Sequence, residues 1–232
     1  MVARPAAGGG RWVSVAPERL SRWIEGFAVR HGAVEAAVTD EVVRLAAADG
    51  SVAECHVPFP PLRGDRAEDL VEHACRERTV GVLLVRLGGY AAGVFTGDRL
   101  VAAKVGSRPV HGRSAAGGWS QQRFARRREK QSAEALGAAA DVAFRVLVPY
   151  AAGLDVAGPG RVELDAVVLG GDRRAVAELR GDRRLAPLFA LEAEPFLTVP
   201  DPRRNVLEGT PAMFRSVRIR VVETGEAGEI TD

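Results

Sequence analysis

The chain has 232 residues, two cysteines and a formal net charge of +2. Its 47% hydrophobic and 27% charged content suits a globular chain with one ample core, or a core plus a small subdomain, and excludes wholesale disorder. Cys55 and Cys75 make no CxxC, no stretch approaches the roughly 18 apolar residues of a membrane span, and no charged-then-apolar leader opens the chain, so a reducing cytoplasm and no membrane partner are expected.

Residues 1–10, MVARPAAGGG, read as a flexible tail. In PERLSRWIEGFAVRHG, Pro17 sits in a first helical turn, Leu20, Trp23, Ile24 and Phe27 share a stripe, and Gly32 closes the segment. Asp49-Gly50 lies between two alternating runs and predicts a hairpin, whose second strand is stopped by Pro58, Pro60 and Pro61. GDRAEDLVEHACRER predicts a second helix that buries Leu70, Val71, Ala74 and Cys75. Residues 11–77 are thus expected to form a helix–hairpin–helix addition to the domain that follows.

TVGVLLVRL (79–87) is the clearest strand, and GGYAAGVFTGDRLVAAKVGSRPV supplies two more, with turns at Gly88-Gly89 and Gly97-Asp98. Three strands joined by tight turns predict an antiparallel meander. A loop and a long helix follow. The helix becomes apolar from about Ser132, through Ala135, Leu136, Ala139, Val142, Ala143 and Val146, and Pro149 ends or kinks it. RVELDAVVLGG (161–171) predicts a fourth buried strand. One or two helices come next, then a short strand in EPFLTVPDP, partial helix over 203–214, and a last alternating strand, RSVRIRVVE (215–223). Residues 224–232 read as a second tail, and no internal repeat is present. The order predicts an α/β domain over 78–223 with a mixed sheet, compatible with a ribonuclease-H-like core.

The stretch from Arg108 to Lys130 stands apart. It holds seven basic residues (Arg108, Arg113, Arg123, Arg126, Arg127, Arg128, Lys130) against one acid, Glu129, in a chain whose total is only +2. From Gln121 to Gln131 the one large apolar side chain is Phe124, so this part of the helix has no face to bury and is expected to project from the body. Arg123, Arg126, Arg127 and Lys130 follow i, i+3, i+4, i+7 spacing and form one positive stripe suited to a phosphate backbone. A solvated charged face is the plain alternative, but it normally carries offsetting acids. The preceding loop holds Gly112, Gly117 and Gly118, which let a backbone approach a ligand closely. Trp119 is a candidate for stacking on RNA, Ser120 is a candidate N-cap, and Gln121 and Gln122 then fall at a helix start that favours anions. Arg108, His111 and Arg113 are further RNA-contact candidates.

GGWSQQRFARRRE resembles the catalytic loop of eukaryotic and archaeal class I peptide release factors, where Gly-Gly-Gln precedes a Ser-x-x-Arg-Phe-Ala-Arg helix start. Gly117-Gly118, Ser120 and Arg123-Phe124-Ala125-Arg126 keep that spacing, while Trp119 stands at the family's glutamine. Gly118-Trp119-Ser120-Gln121 instead matches the Gly-x-x-Gln pattern of the Vms-like release factor family, which includes actinobacterial peptidyl-tRNA hydrolases. GRVELDAVVLGG is similar to a strand of the release-factor middle domain, and the resemblance spans about 79–220. It implies hydrolysis of the ester between a nascent peptide and tRNA on the large ribosomal subunit, with no cofactor. Gln121 would orient the attacking water, with Gln122 as the alternative. Gly117 and Gly118 would let the loop enter a narrow site, Trp119 would pack on RNA, and the basic stripe would hold phosphates. A monomer is expected. The lack of a segment to read a stop codon points, on this resemblance, to rescue or quality control of stalled ribosomes.

Other constellations are weaker. His31, His56, His73 and His111 have no metal-ligand spacing, so no metal is expected. Asp165 reads as an ordering carboxylate rather than part of a nuclease cluster, because the first two strands of the meander supply no acids to converge with it. There is no P-loop, dinucleotide fingerprint or GxSxG. A non-catalytic RNA- or ribosome-binding module using the same basic helix remains the rival reading.

Overall fold

The computed structural model describes residues 4–6, 9–86, 89–107, 120–153 and 162–224, and for 120–130 the backbone alone. The chain divides into two units, one formed by Met1–Arg76 with Arg215–Asp232 and the other by Glu77–Phe214.

The first unit begins with strands β1 (Arg4–Pro5) and β2 (Arg11–Val15) and a 3-10 turn at Pro17–Arg19. Helix α1 (Leu20–His31) follows and stops at Gly32, whose φ of 89° turns the chain out of the helix. Then come β3 (Val34–Val38), β4 (Val42–Ala47), β5 (Val52–His56) and α2 (Ala67–Cys75). The last strand of the chain, β11 (Val217–Val222), completes a six-stranded sheet of order β1-β2-β11-β5-β4-β3. Every neighbour in it is antiparallel. Val13, Val15, Val43, Leu45, Ala53, Cys55, Val217 and Ile219 alternate onto one face and form a core with Leu20 and Phe27 of α1 and Leu70 of α2.

This arrangement corrects three expectations. The Asp49-Gly50 hairpin is present, but as two strands of a large sheet rather than as part of a helix–hairpin–helix unit. β11, expected in the 78–223 domain, is laced between β2 and β5. Its alternation demanded one buried face, and the complementary apolar face lies in the N-terminal strands. In α2, Cys75 is exposed and His73 is buried instead. Positions 70, 73 and 74 share a helix face, whereas position 75 is turned about 140° from position 70 at about 100° per residue. His73 Nε2 meets the Pro58 carbonyl at 2.8 Å.

In the second unit, β6 (Thr79–Arg86), β7 (Gly89–Thr96) and β8 (Arg99–Ser107) form the expected meander. Helix α3 (Ser120–Val146) follows, then the short α4 (Val148–Ala151), which Pro149 opens after ending α3. β9 (Ala166–Gly171), α5 (Arg173–Leu179), a 3-10 turn at Arg183–Leu185, α6 (Ala186–Ala190) and β10 (Glu192–Leu197) come next, with α7 (Arg204–Glu208) and α8 (Pro211–Phe214) last. β9 runs parallel to β6, and β10 parallel to β9, giving a mixed sheet of order β10-β9-β6-β7-β8.

Both faces of this sheet carry apolar packing, which is why β6 reads as a continuous apolar run instead of alternating. On one face Leu83, Val85, Ala92, Val94, Val167 and Leu169 pack with Ala139, Val142, Ala143 and Leu147. On the other, Phe95 meets Phe214 edge to face at 6.0 Å, and Leu207 lies against Gly93. Gly81 lets Leu164 approach closely, since a Cβ there would stand 2.9 Å from Leu164 Cδ1. The result is a sheet packed on both faces with β8 at its edge, and that strand ends at Ser107, the residue before the basic stretch.

Candidate functional site

The site region is framed by the end of β8 and the start of α3. At the strand end Ser107 pairs with Gly89, and Gly106 pairs with Tyr90. The Tyr90 ring lies over Gly106 so closely that an added Cβ would fall 2.4 Å from its Cζ. An aromatic ring covering a cross-strand glycine fixes the last ladder pairs before the chain departs. No local signal marks this pair in the sequence, because its two members become neighbours only through the β7–β8 register.

Residues 108–119, which include the candidates Arg108, His111, Arg113, Gly117, Gly118 and Trp119, lie outside the described residues. Ser120 is the first residue of α3, so Gln121 and Gln122 occupy its first turn. The first-turn N–H groups of a helix have no intrahelical acceptors, and no acid occupies the first turn of α3.

With 27 residues, α3 is about 40 Å long at about 1.5 Å per residue. It packs on β7 and β8 through its C-terminal half, where Ala135, Ala139, Ala140, Val142 and Ala143 are buried. At about 100° per residue, positions 123, 126, 127 and 130 fall on one line of the helix, opposite the line of 135, 139 and 142. Positions 121 and 122 are in phase with Ala139 and Ala140, five turns further on, and both of those residues are buried.

The packed half of α3 is held by charge as well as by apolar contact. Arg184 reaches Asp141 at 3.0 Å and Asp182 at 2.7 Å, with its guanidinium 5.5 Å from the Phe144 ring. The hydrogen bond with Asp182, then that with Asp141, raises the Arg184 pKa, and the same pairing lowers that of Asp182. Arg184 and Asp141 are exposed and Asp182 is half-buried, so these ion pairs add little stability.

The remaining candidates have structural partners. Asp165 Oδ2 accepts from Thr79 N at 2.6 Å, which is the ordering role expected of it. His31 Nδ1 meets Asp49 Oδ2 at 2.9 Å. Cys55 is buried and His56 exposed, on opposite faces of β5 as the strand period requires. Among the described residues no group of three or more His, Cys, Asp or Glu is placed to hold a metal, and no helix is long and apolar enough to cross a membrane.

Comparison with known families gives this mixed five-stranded sheet and the helix that follows its edge strand a specific place. Residues 78–220 match the family of Actinobacteria/chloroflexi VLRF1 release factors, and the chain belongs to that family. Among curated proteins none matches the chain. Among solved structures it is similar to an archaeal translation termination factor, aRF1, at 18% identity and a TM-score of 0.43, over 73% of this chain and 51% of that one. A chain described as an archaeal protein is similar at 17% identity and a TM-score of 0.41, over 73% and 50%. Archaeoglobus fulgidus Pelota follows at 11% identity and a TM-score of 0.29, over 90% and 63%. The chain spans about half the length of the first two of these structures.

Proposed function

We propose that this chain is a peptidyl-tRNA hydrolase of the release-factor type, acting on stalled ribosomal complexes in the cytoplasm as a monomer. The observation that carries the reading is the Gly118-Trp119-Ser120-Gln121 sequence, set at the start of the basic helix α3 and inside the region that matches the release-factor family. The strand order β10-β9-β6-β7-β8, with three antiparallel strands followed by two parallel additions, supports reading the second unit as a ribonuclease-H-like core.

In this mechanism water attacks the carbonyl carbon of the ester that joins the peptide to the tRNA 3′ end. The carbon–oxygen bond to the ribose breaks, the proton lost by water goes to the departing ribose oxygen, and a free peptide carboxyl remains. A glutamine amide is too weakly basic to take that proton, so Gln121 contributes by fixing the water in line with the carbonyl. The tRNA's own 2′-hydroxyl is suited to pass the proton. Backbone N–H groups at the start of α3 favour the negative charge that develops on the carbonyl oxygen. Gly117 and Gly118 admit the loop to a narrow site, Trp119 packs on RNA, and Arg108, His111, Arg113, Arg123, Arg126, Arg127 and Lys130 bind phosphates of tRNA and large-subunit rRNA. The spacing from Gly118 in the Gly-x-x-Gln pattern favours Gln121 over Gln122 for the water-orienting role.

The test is release of peptide from ribosome-bound peptidyl-tRNA. Wild type should liberate peptide and leave the tRNA intact, also in EDTA. Gln121→Ala should abolish release while RNA binding persists, and Gln122→Ala should retain it. If wild type binds ribosomes but releases nothing, the non-catalytic binding module is the correct reading.

A further inference from the structure

The six-stranded sheet has a second face. Its core face is filled by the apolar side chains packed with α1 and α2, but Ser14, Arg44, His56 and Arg218 on the other face are exposed, with Trp12, Glu54 and Arg220 half-buried. The strand register sets these residues in two rows. One runs Arg4, Trp12, Arg220, Glu54, Arg44 across β1, β2, β11, β5 and β4. The next runs Ser14, Arg218, His56, Val42. At about 4.8 Å between strands, the first row spans about 19 Å.

Two features of this face point to one kind of ligand. The first is charge. Arg4, Arg44 and Arg218 stand against Glu35, while Arg220 is paired with Glu54 at 3.4 Å and donates to the Gly9 carbonyl at 3.2 Å. The second is a group of flat π-systems at its centre. The Arg218 guanidinium lies 4.7 Å from the Trp12 ring, and the His56 ring is centred 5.1 Å from it, tilted by 52°. A Trp left half-exposed among an Arg and a His, with positive charge on both sides, offers stacking surface and phosphate contacts together. Open sheets that bind single-stranded RNA combine those two elements. A duplex fits poorly, because its bases are already stacked and the deep groove of A-form RNA does not admit a flat sheet.

We propose that the outer face of this sheet is a second nucleic-acid surface, which takes a single-stranded RNA segment with a base stacked on the Trp12–Arg218 pair and phosphates held by Arg4 and Arg44. It is distinct from the α3 site and goes beyond the hydrolase reading. Trp12, Arg44 and His56 lie outside the region matched by the release-factor family. Partial desolvation of the ring, then Arg218, lowers the His56 pKa against an opposing pull from Glu54, which favours the neutral imidazole. A phosphate seated beside it reverses the effect of Arg218 and raises that pKa.

The experiment uses the full chain in a parent variant whose α3 stripe is removed (Arg123→Ala, Arg126→Ala, Arg127→Ala, Lys130→Ala), so that residual binding reads the sheet face. The probe is a short fluorescein-labelled oligouridylate followed by fluorescence anisotropy. Trp12→Ala in this parent should weaken binding by about 5- to 100-fold, the range for loss of one base–aromatic stack, while Trp12→Phe retains most of it. Arg44→Ala, at an exposed position outside the core, should weaken binding and lower the slope of log affinity against log salt by about 0.7. In the wild-type chain the oligonucleotide should raise the His56 pKa, read by NMR. If Trp12→Ala and Arg44→Ala both bind as the parent does, the proposal is wrong. Equal competition by duplex RNA also overturns it. So do His56 shifts that follow protein concentration alone, which would mark the face as a contact between copies. None of these readouts involves peptide release, so they stand whether or not Gln121 catalyses hydrolysis.

Discussion

Asp165 and Thr79 hold each other by two hydrogen bonds: Asp165 N donates to Thr79 O at 2.8 Å, and Thr79 N donates to Asp165 Oδ2 at 2.6 Å. The pair closes the lower end of the parallel β6–β9 ladder, just before Val80 and Ala166 begin it. An acid in this strand therefore serves the sheet. Asp165→Ala should destabilise the protein by about 1–2 kcal/mol, since it removes a charged acceptor at a site partly open to water. Asp165→Asn should cost less because an amide oxygen still accepts. Urea denaturation checks both.

Two glycines make opposite predictions, Gly171 at the upper end of the same ladder and Gly137 on α3. Gly171 has φ +99°, and a Cβ there would lie 2.2 Å from the Val85 carbonyl oxygen, which already accepts from Asp172 N. Gly171→Ala combines backbone strain with a clash against main chain and should cost about 2–5 kcal/mol. Gly137, on the exposed side of α3, has nothing within 4 Å of its built Cβ. Gly137→Ala should stabilise by about 0.5–1 kcal/mol through helix propensity. Melting temperatures of the two variants should move in opposite directions.

The cysteines should react at very different rates. Burial pushes the Cys55 thiol up to about 12, so almost no thiolate exists at pH 8, and the side chain is fully enclosed. Cys75 is exposed on α2. A maleimide should label Cys75 within minutes and Cys55 only after denaturation, as mass spectrometry of the two peptides would record.

The edge of the first unit should be acid-sensitive. The hydrogen bond from Arg11, at 2.6 Å, holds the Glu223 carboxyl below its ordinary value, and Asp49 is lowered by the Ser51 backbone N–H and by His31. A carboxylate whose folded pKa is depressed adds stability that is fully present above its unfolded value, about 4.3 for glutamate, and lost as pH falls through the folded value. Arg11→Gln should therefore lower the melting temperature at neutral pH, and the difference should shrink below about pH 4. Half-exposure of both side chains keeps the effect small and reduces it further in high salt.

The elements that were legible in the sequence are those with local causes. The meander of β6, β7 and β8 follows from apolar runs separated by glycine turns, and the end of α3 follows from Pro149. The start of its packed half follows from the change of side chains at Ala135. The motif from Gly117 to Arg126 carried the family reading without help from any fold. Tyr90 over Gly106 was hidden, because neither residue signals anything until the register opposes them.

The tertiary structure alone decided what β11 and the N-terminal strands become together. Period-two alternation in RSVRIRVV states that one face is buried and cannot say against which partner. Pairing Val221 with Arg11 and with Ala53 joins segments far apart in the chain, and only the shared core selects that pairing. The same pairing carries Arg218 over Trp12 and beside His56, so the second charged and aromatic surface exists only once the sheet has closed. Local chemistry wrote the basic loop and helix into the sequence. Non-local burial made the sheet and its outer face.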